Sequence, residues 1–259
     1  MNSWNAKLEA ELRRYDRLAI AFSGGCDSTL LAEAARRVLG SENVLALLAE
    51  SVMLPRVEYE RAREFARSTG LRLEIVTLDP LAETAVRANG PLRCYHCKRR
   101  IFTALLARAR ERGFGTLADG ANFDDRGDYR PGARAAEELG IAHPLRDFPK
   151  AAIRELAKAW NLPVWDLPAA ACLASRIPTG TPLDRESLAR IEAAEAALTG
   201  LGYSGHRVRK TGPSSARLEF RPDDLDRARN EAKLLAARLK KSGFDTVEIA
   251  SYHTGFRLP

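Results

Sequence analysis

A chain of 259 residues, 45% of them hydrophobic, is long enough to bury one large core or two modest ones, which excludes a disordered chain. Its longest apolar runs are strand-sized and broken by charges, which make up 29% of the residues, so no segment could span a bilayer and a soluble globular protein is expected. A formal net charge of +7 favours acidic ligands such as nucleotides, phosphates or RNA without identifying one.

The opening segment, MNSWNAKLEAELRRYD, is charged throughout and has no apolar stretch ahead of a small-residue cleavage site. It reads as an amphipathic helix rather than a signal peptide, and a cytoplasmic protein is expected. LAIAF then predicts a strand, followed by a helix ending at 39; VLALL predicts a strand, followed by a helix over 56–69. LEIVTL is the next strand, with a helix from Lys98, and TLAD with a helical stretch near 133–139 continues the alternation to about Trp160. Such alternation calls for an α/β fold, a doubly wound parallel sheet with helices on both faces. Gly40, Gly70, Gly113 and Gly140 each follow a helical run, where a left-handed residue commonly ends the helix.

A passage holding Pro163, Pro168, Pro178 and Pro182 breaks this pattern. Beyond it the order becomes a helix over 184–198, strands at HRVRK and SARLEF, a helix over 222–241 and a strand at TVEIA. The expected division is an ATP-binding domain over 1–165 and a smaller C-terminal α+β domain over 166–259.

LAIAFSGGCDSTLL sets Ser23, Gly24, Gly25, Asp27, Ser28 and Thr29 between a buried strand and the start of a helix, where backbone N–H groups can cradle phosphate or pyrophosphate. The loop lacks the lysine of a Walker A motif and the spacing of a dinucleotide fingerprint. SGGCDS instead resembles the SGGxDS signature of the PP-loop ATP pyrophosphatases. That resemblance implies ATP as cofactor, with Ser23 and Ser28 on the pyrophosphate and Asp27 helping to hold Mg2+. Cys26 reads as a small apolar filler.

RCYHCK places Cys94 and Cys97 at the entry to a helix, and Cys172 lies in the distant loop AAACLASRIP. By spacing alone the pair could be a redox couple, half of a zinc site or part of an iron–sulfur site. His96 between them reads as solvent-facing or as supporting the ligands.

RCYHCK, DGANFDD, DYRPG, WDLPAAACLASRIPTG and RVR follow one another in the order seen in the LarE family, the sulfur transferases of nickel-pincer cofactor synthesis. The resemblance runs from about Asp16 to Glu219. It implies an adenylating sulfurtransferase acting on a pyridinium biscarboxylic acid mononucleotide, with Cys172 at the sulfur-handling position. Because the CxxC pair accompanies it, Cys94, Cys97 and Cys172 are expected to hold a [4Fe-4S] cluster; the alternative is sacrifice of the Cys172 sulfur. Arg207 and Arg209, two apart on a strand and so on one face, are expected on substrate phosphate or carboxylate, with Arg176 and Arg130 assisting. Asp124 and Asp125 are candidates for the nucleotide or magnesium, and Glu192 and Glu195 for a helix facing the site. The expected partners are the small-molecule mononucleotide, sulfide or another sulfur donor, and further copies of the chain in a homo-oligomer, with neither nucleic acid nor membrane. Rival readings are a tRNA thiolase, an ammonia-dependent synthetase of the NAD synthetase kind and a non-catalytic nucleotide-binding module.

Overall fold

A computed structural model describes residues 3–127, 131–167 and 171–252. The chain forms two compact units, Met1–Ala170 and Ala171–Pro259. The first contains, in order, α1 (Ser3–Leu12), β1 (Leu18–Ala21), α2 (Cys26–Leu39), β2 (Val44–Glu50), α3 (Arg56–Thr69), β3 (Leu73–Thr77) and α4 (Thr84–Arg87). It continues with α5 (Arg93–Glu111), β4 (Leu117–Ala118), α6 (Pro131–Glu138) and α7 (Lys150–Ala159).

The four strands form one parallel sheet in the order β3-β2-β1-β4, with Leu18 opposite Val44 and Ala19 opposite Leu117. Alternation along the strands separates two cores. Leu18, Ile20, Val44, Ala46 and Leu48 pack in one cluster with Leu8 of α1, Leu30 of α2, Phe65 of α3 and Ile153 of α7. Ala19, Leu45 and Leu47 point the other way into a cluster with Phe102 and Leu105 of α5 and Ala136 of α6. A parallel sheet is stable only when both faces are covered in this manner, each buried Leu or Phe contributing about 1.5–3 kcal/mol. The fold is therefore the expected doubly wound α/β sheet of PP-loop type. The helix expected from Lys98 begins five residues earlier, at Arg93, so that both cysteines of the pair are helical.

The second unit contains α8 (Arg185–Gly200), β5 (Arg207–Lys210), β6 (Ser215–Phe220), α9 (Pro222–Asn230), α10 (Ala232–Lys240) and β7 (Thr246–Ser251). Asp184 caps α8, its carboxylate accepting from the Ser187 N–H at 2.6 Å and the Ser187 hydroxyl at 2.7 Å. Strand β5 runs antiparallel and β7 parallel to the central β6. The single helix expected over 222–241 is broken at Glu231, where ψ is 11°. Its carboxylate is drawn to the Tyr203 hydroxyl at 2.8 Å and to Arg227 Nε at 3.1 Å. Among the described residues no helix is long and apolar enough to cross a membrane.

Candidate functional site

Strand β1 leads into α2 on one face of the sheet and β4 into α6 on the other, so the chain parts at the carboxyl ends of this neighbouring pair, where open α/β sheets place a ligand crevice. The loop after β1 forms one wall. Gly24 has φ +71°, and a Cβ there would lie 2.8 Å from the Ala62 Cβ, so only glycine fits. The Ser23 N–H donates to Ser28 Oγ at 3.2 Å, the two hydroxyls lie 3.1 Å apart, and Ser28 Oγ donates to the Gly25 carbonyl at 3.2 Å. Gly25 N-caps α2 without a side chain over the first turn, which leaves that turn's N–H groups directed at an incoming anion. Thr29 is fully buried, with its hydroxyl lacking a hydrogen-bond partner among the described residues.

Asp27 carries the charge of this loop. Lys150 Nζ, 123 residues away in the chain, donates to its two oxygens at 2.6 and 2.5 Å, and Asn122 Nδ2 donates at 3.3 Å. Gly120, just after β4, permits this approach, because a Cβ there would be 3.0 Å from both the Asp27 Cβ and the Ser28 nitrogen. Lys150 opens α7, and its own N–H donates to Asp124 Oδ2 at 2.5 Å. Asp125 accepts from the Asn122 N–H at 3.0 Å. Deeper in the crevice Asp119, 7% exposed, accepts from the Ala121 N–H at 3.0 Å and lies 2.7 Å from His143 Nδ1. Burial alone would push the Asp119 carboxyl up; the His143 hydrogen bond, the charges of Lys98 and His143 and the Ala121 N–H outweigh it and hold the group below its ordinary value.

Cys94 and Cys97 are half-buried on the first turns of α5, and none of the four cysteines is in a disulfide. Arg93 Nη1 donates to Asn89 Oδ1 at 2.6 Å, and its Nη2 reaches Cys94 Sγ at 3.4 Å. His96 Nδ1 is 3.5 Å from Glu83 Oε1. Cys26 is buried, and burial pushes its thiol up, as suits a core-filling residue. Among the described residues no group of three or more His, Cys, Asp or Glu side chains is gathered as a metal site. Arg130 lies outside the described residues.

In the second unit Cys172 N-caps a short 3-10 turn over Leu173–Arg176, its carbonyl accepting from the Ser175 N–H at 3.0 Å and hydroxyl at 2.8 Å. Arg176 is buried. It grips Glu195 through Nε at 2.9 Å and Nη2 at 3.1 Å, and its Nη1 donates to the Ala171 and Cys172 carbonyls at 2.6 and 3.2 Å. Arg207 and Arg209 share one face of β5, opposite buried Val208. Arg209 donates to Glu219 Oε1 at 2.7 Å and the Ser175 carbonyl at 2.8 Å, while the Arg207 guanidinium lies 4.8 Å from the Tyr252 ring centroid. Burial first, then the positive charges of Arg176 and Arg209, lower Arg207 from its ordinary value, so the cluster would gain from an anion. Glu192 sits half-buried on α8.

The family model for NAD synthase matches residues 6–114, within the first unit. The pyridinium-3,5-bisthiocarboxylic acid mononucleotide synthase of Lactiplantibacillus plantarum is 36% identical over 206 residues, 79% of this chain and 75% of that protein. The chain belongs to the LarE family. An uncharacterised Synechocystis protein is 37% identical over 96% of both chains. The tRNA-specific 2-thiouridylase MnmA of Brucella suis is more distant, 29% identical over 57% of this chain and 46% of its own length.

In this LarE-family chain the first unit holds a glycine- and serine-lined loop beside an ion-paired carboxylate, and the second a cysteine loop held by a buried guanidinium. Sequence reasoning singled out the loop, the cysteines and the β5 arginines but passed over Lys150, Asp119, Asn122 and His143. Asp119 and Asn122 lay in plain view within DGANFDD, directly after a predicted strand. Lys150 carried no local signal beyond Pro149, a helix-start cue.

Proposed function

We propose that the protein is a cytoplasmic ATP-dependent sulfurtransferase that adenylates carboxylates of pyridinium-3,5-biscarboxylic acid mononucleotide and converts them to thiocarboxylates. The observation that supports this most is the 206-residue relationship to the synthase of the bisthiocarboxylic product. That match is longer than the first unit, which ends at Ala170, and so runs into the unit carrying Cys172 and the arginines. The NAD synthase match does not leave the first unit.

A carboxylate is a poor acyl donor because oxide would have to leave. In the proposed reaction its oxygen attacks the α-phosphorus of ATP, the bond to the β-phosphate oxygen breaks, and pyrophosphate departs into the cradle of Ser23, Gly24, Gly25, Ser28 and Thr29. Sulfide then attacks the carbonyl carbon. The C–O bond to AMP breaks, AMP takes the electron pair, and a thiocarboxylate remains with no net oxidation. Arg207, Arg209 and Arg130 supply forked donors for substrate phosphate and carboxylate. Arg176, its donors turned to Glu195 and the Cys172 loop, contributes by holding that loop.

Asp27 suits magnesium, for its carboxylate already holds a cation, the Lys150 ammonium, and Asp125 would assist. Cys94, Cys97 and Cys172 offer thiolates, soft donors that would suit iron, and a [4Fe-4S] cluster held by those three cysteines would supply a place to carry sulfide.

The test is anaerobic incubation of the purified protein with ATP, Mg2+, sulfide and the biscarboxylate mononucleotide, followed by mass spectrometry. Exchange of carboxyl oxygen for sulfur is expected, together with AMP and pyrophosphate. Thiolated tRNA in its place would overturn the substrate. Iron and acid-labile sulfide should be lost in Cys94→Ala along with transfer; a protein that instead loses the Cys172 sulfur, indifferent to Cys94, overturns the cluster.

A further inference from the structure

The pairing of Lys150 with Asp27 has the form of an internal counter-ion. The ammonium bridges both carboxylate oxygens at 2.6 and 2.5 Å and so covers the surface a divalent cation would use. Neighbouring carboxylates do not offer Lys150 Nζ an equivalent seat. Asp119 is engaged by His143, Asp125 accepts from the Asn122 N–H, and Asp124 accepts from the Lys150 backbone N–H. That last bond fixes the start of α7 through the backbone, and the ammonium sits beyond it on a four-carbon stem with rotatable bonds. The pair is about one quarter exposed on each side, which leaves the exchange open to ions from solvent.

We infer that Lys150 stands in for the metal at Asp27 in the nucleotide-free protein and passes to the pyrophosphate oxygens of ATP on binding, so that Asp27 takes magnesium only together with nucleotide. This rests on the reading of Asp27 as the metal-holding residue. A divalent ion arriving alone must evict a charge-assisted pair and leave the ammonium without a counter-ion. Arriving with a polyphosphate, it brings oxygens for the three ammonium donors, and the displaced charge is compensated within the same crevice. Nucleotide and metal then raise each other's affinity by the same factor. Loss of Lys150 thus acts in opposite directions on the two ligands.

Mn2+ is the probe, titrated by electron paramagnetic resonance with and without pyrophosphate, on the wild-type protein and on Lys150→Met, Lys150→Gln and Asp27→Asn. Wild type should bind Mn2+ weakly alone and more tightly with pyrophosphate. Lys150→Met should bind Mn2+ alone about fivefold more tightly than wild type, the factor a partly exposed ion pair is worth, while binding pyrophosphate less well. Lys150→Gln should shift both in the same directions by less, and serves if the Met variant does not fold. Unchanged or weaker metal binding in both Lys150 variants overturns the inference, provided Asp27→Asn abolishes the pyrophosphate-dependent Mn2+ site. If Asp27→Asn keeps that site, the metal reading of Asp27 itself falls.

Discussion

Two ion pairs, one in each unit, join a carboxylate to a cation distant in sequence, yet they do different work. Asp27 and Lys150 in the first unit have side chains 26% and 28% exposed, whereas Glu195 and Arg176 in the second are 15% and 6% exposed. Lysine offers a point charge on a flexible stem. Arg176 offers a planar fork that also ties down the Ala171 and Cys172 carbonyls, and Glu195 takes the Val208 N–H at 2.9 Å as well. The first pair is screened and weakly committed, so it can be traded for a ligand. The second is desolvated on both sides, and removing one partner strands the other. The first unit thus carries an exposed pair open to exchange, and the second a buried one beside the Cys172 loop.

The sharpest way to break this contrast is Arg176→Met. Stranding Glu195 should cost about 3–5 kcal/mol in urea unfolding of the second unit, and Arg176→Met combined with Glu195→Leu should recover most of it. If the single variant unfolds like wild type, the pair is not a clamp. Asp27→Asn should do the reverse. Its unfolding free energy should change by no more than about 1 kcal/mol, while pyrophosphate release in the presence of substrate falls about 100-fold. A stability loss as large as that of Arg176→Met would erase the distinction between the pairs.

The same contrast explains what was legible in the sequence. The loop after β1 is built from residues contiguous in the chain, so SGGCDS after an apolar strand marked its place, and the alternation of apolar runs such as LAIAF and VLALL with helical segments announced the sheet that presents it. The cation at Asp27 was not legible, because 123 residues of chain separate the partners and only the sheet order brings α7 to α2. Arg176 was legible as an arginine near Cys172 but not as a clamp, since Glu195 meets it from another helix and sequence does not show which donors are already engaged. The break at Glu231 escaped for a related reason, a tertiary pull from Tyr203 overriding helix periodicity.

A smaller effect probes the wall behind the exchangeable pair. Gly120→Ala would set a methyl group 3.0 Å from the Asp27 Cβ and the Ser28 nitrogen, tighter than ordinary contact, and these neighbours belong to the first turn of α2. The expected cost is about 2 kcal/mol in thermal unfolding of the first unit, together with weakened ATP binding. Alanine tolerated without change in either measurement would show that the Asp27 loop yields more easily than its packing indicates.

The smallest effect concerns Asp119, the buried carboxylate behind the crevice, which resembles the Arg176 pair in burial though it lies in the unit of the exchangeable one. Burial works to raise its folded pKa, but His143, Lys98 and the Ala121 N–H outweigh it and hold the group below the ordinary value of 3.8. A group shifted in that sense contributes stability that is fully present above the unfolded value and is lost as pH falls through the folded one. Wild type should therefore exceed Asp119→Asn by about 1.5 kcal/mol from neutral pH down to about pH 5, with the gap closing on acidification below the ordinary value. Urea unfolding of both proteins across that range measures it. A gap that stays constant to the lowest pH would mean that shape, not charge, is what Asp119 supplies, and the first unit would then contain no permanent electrostatic anchor behind its exchangeable one.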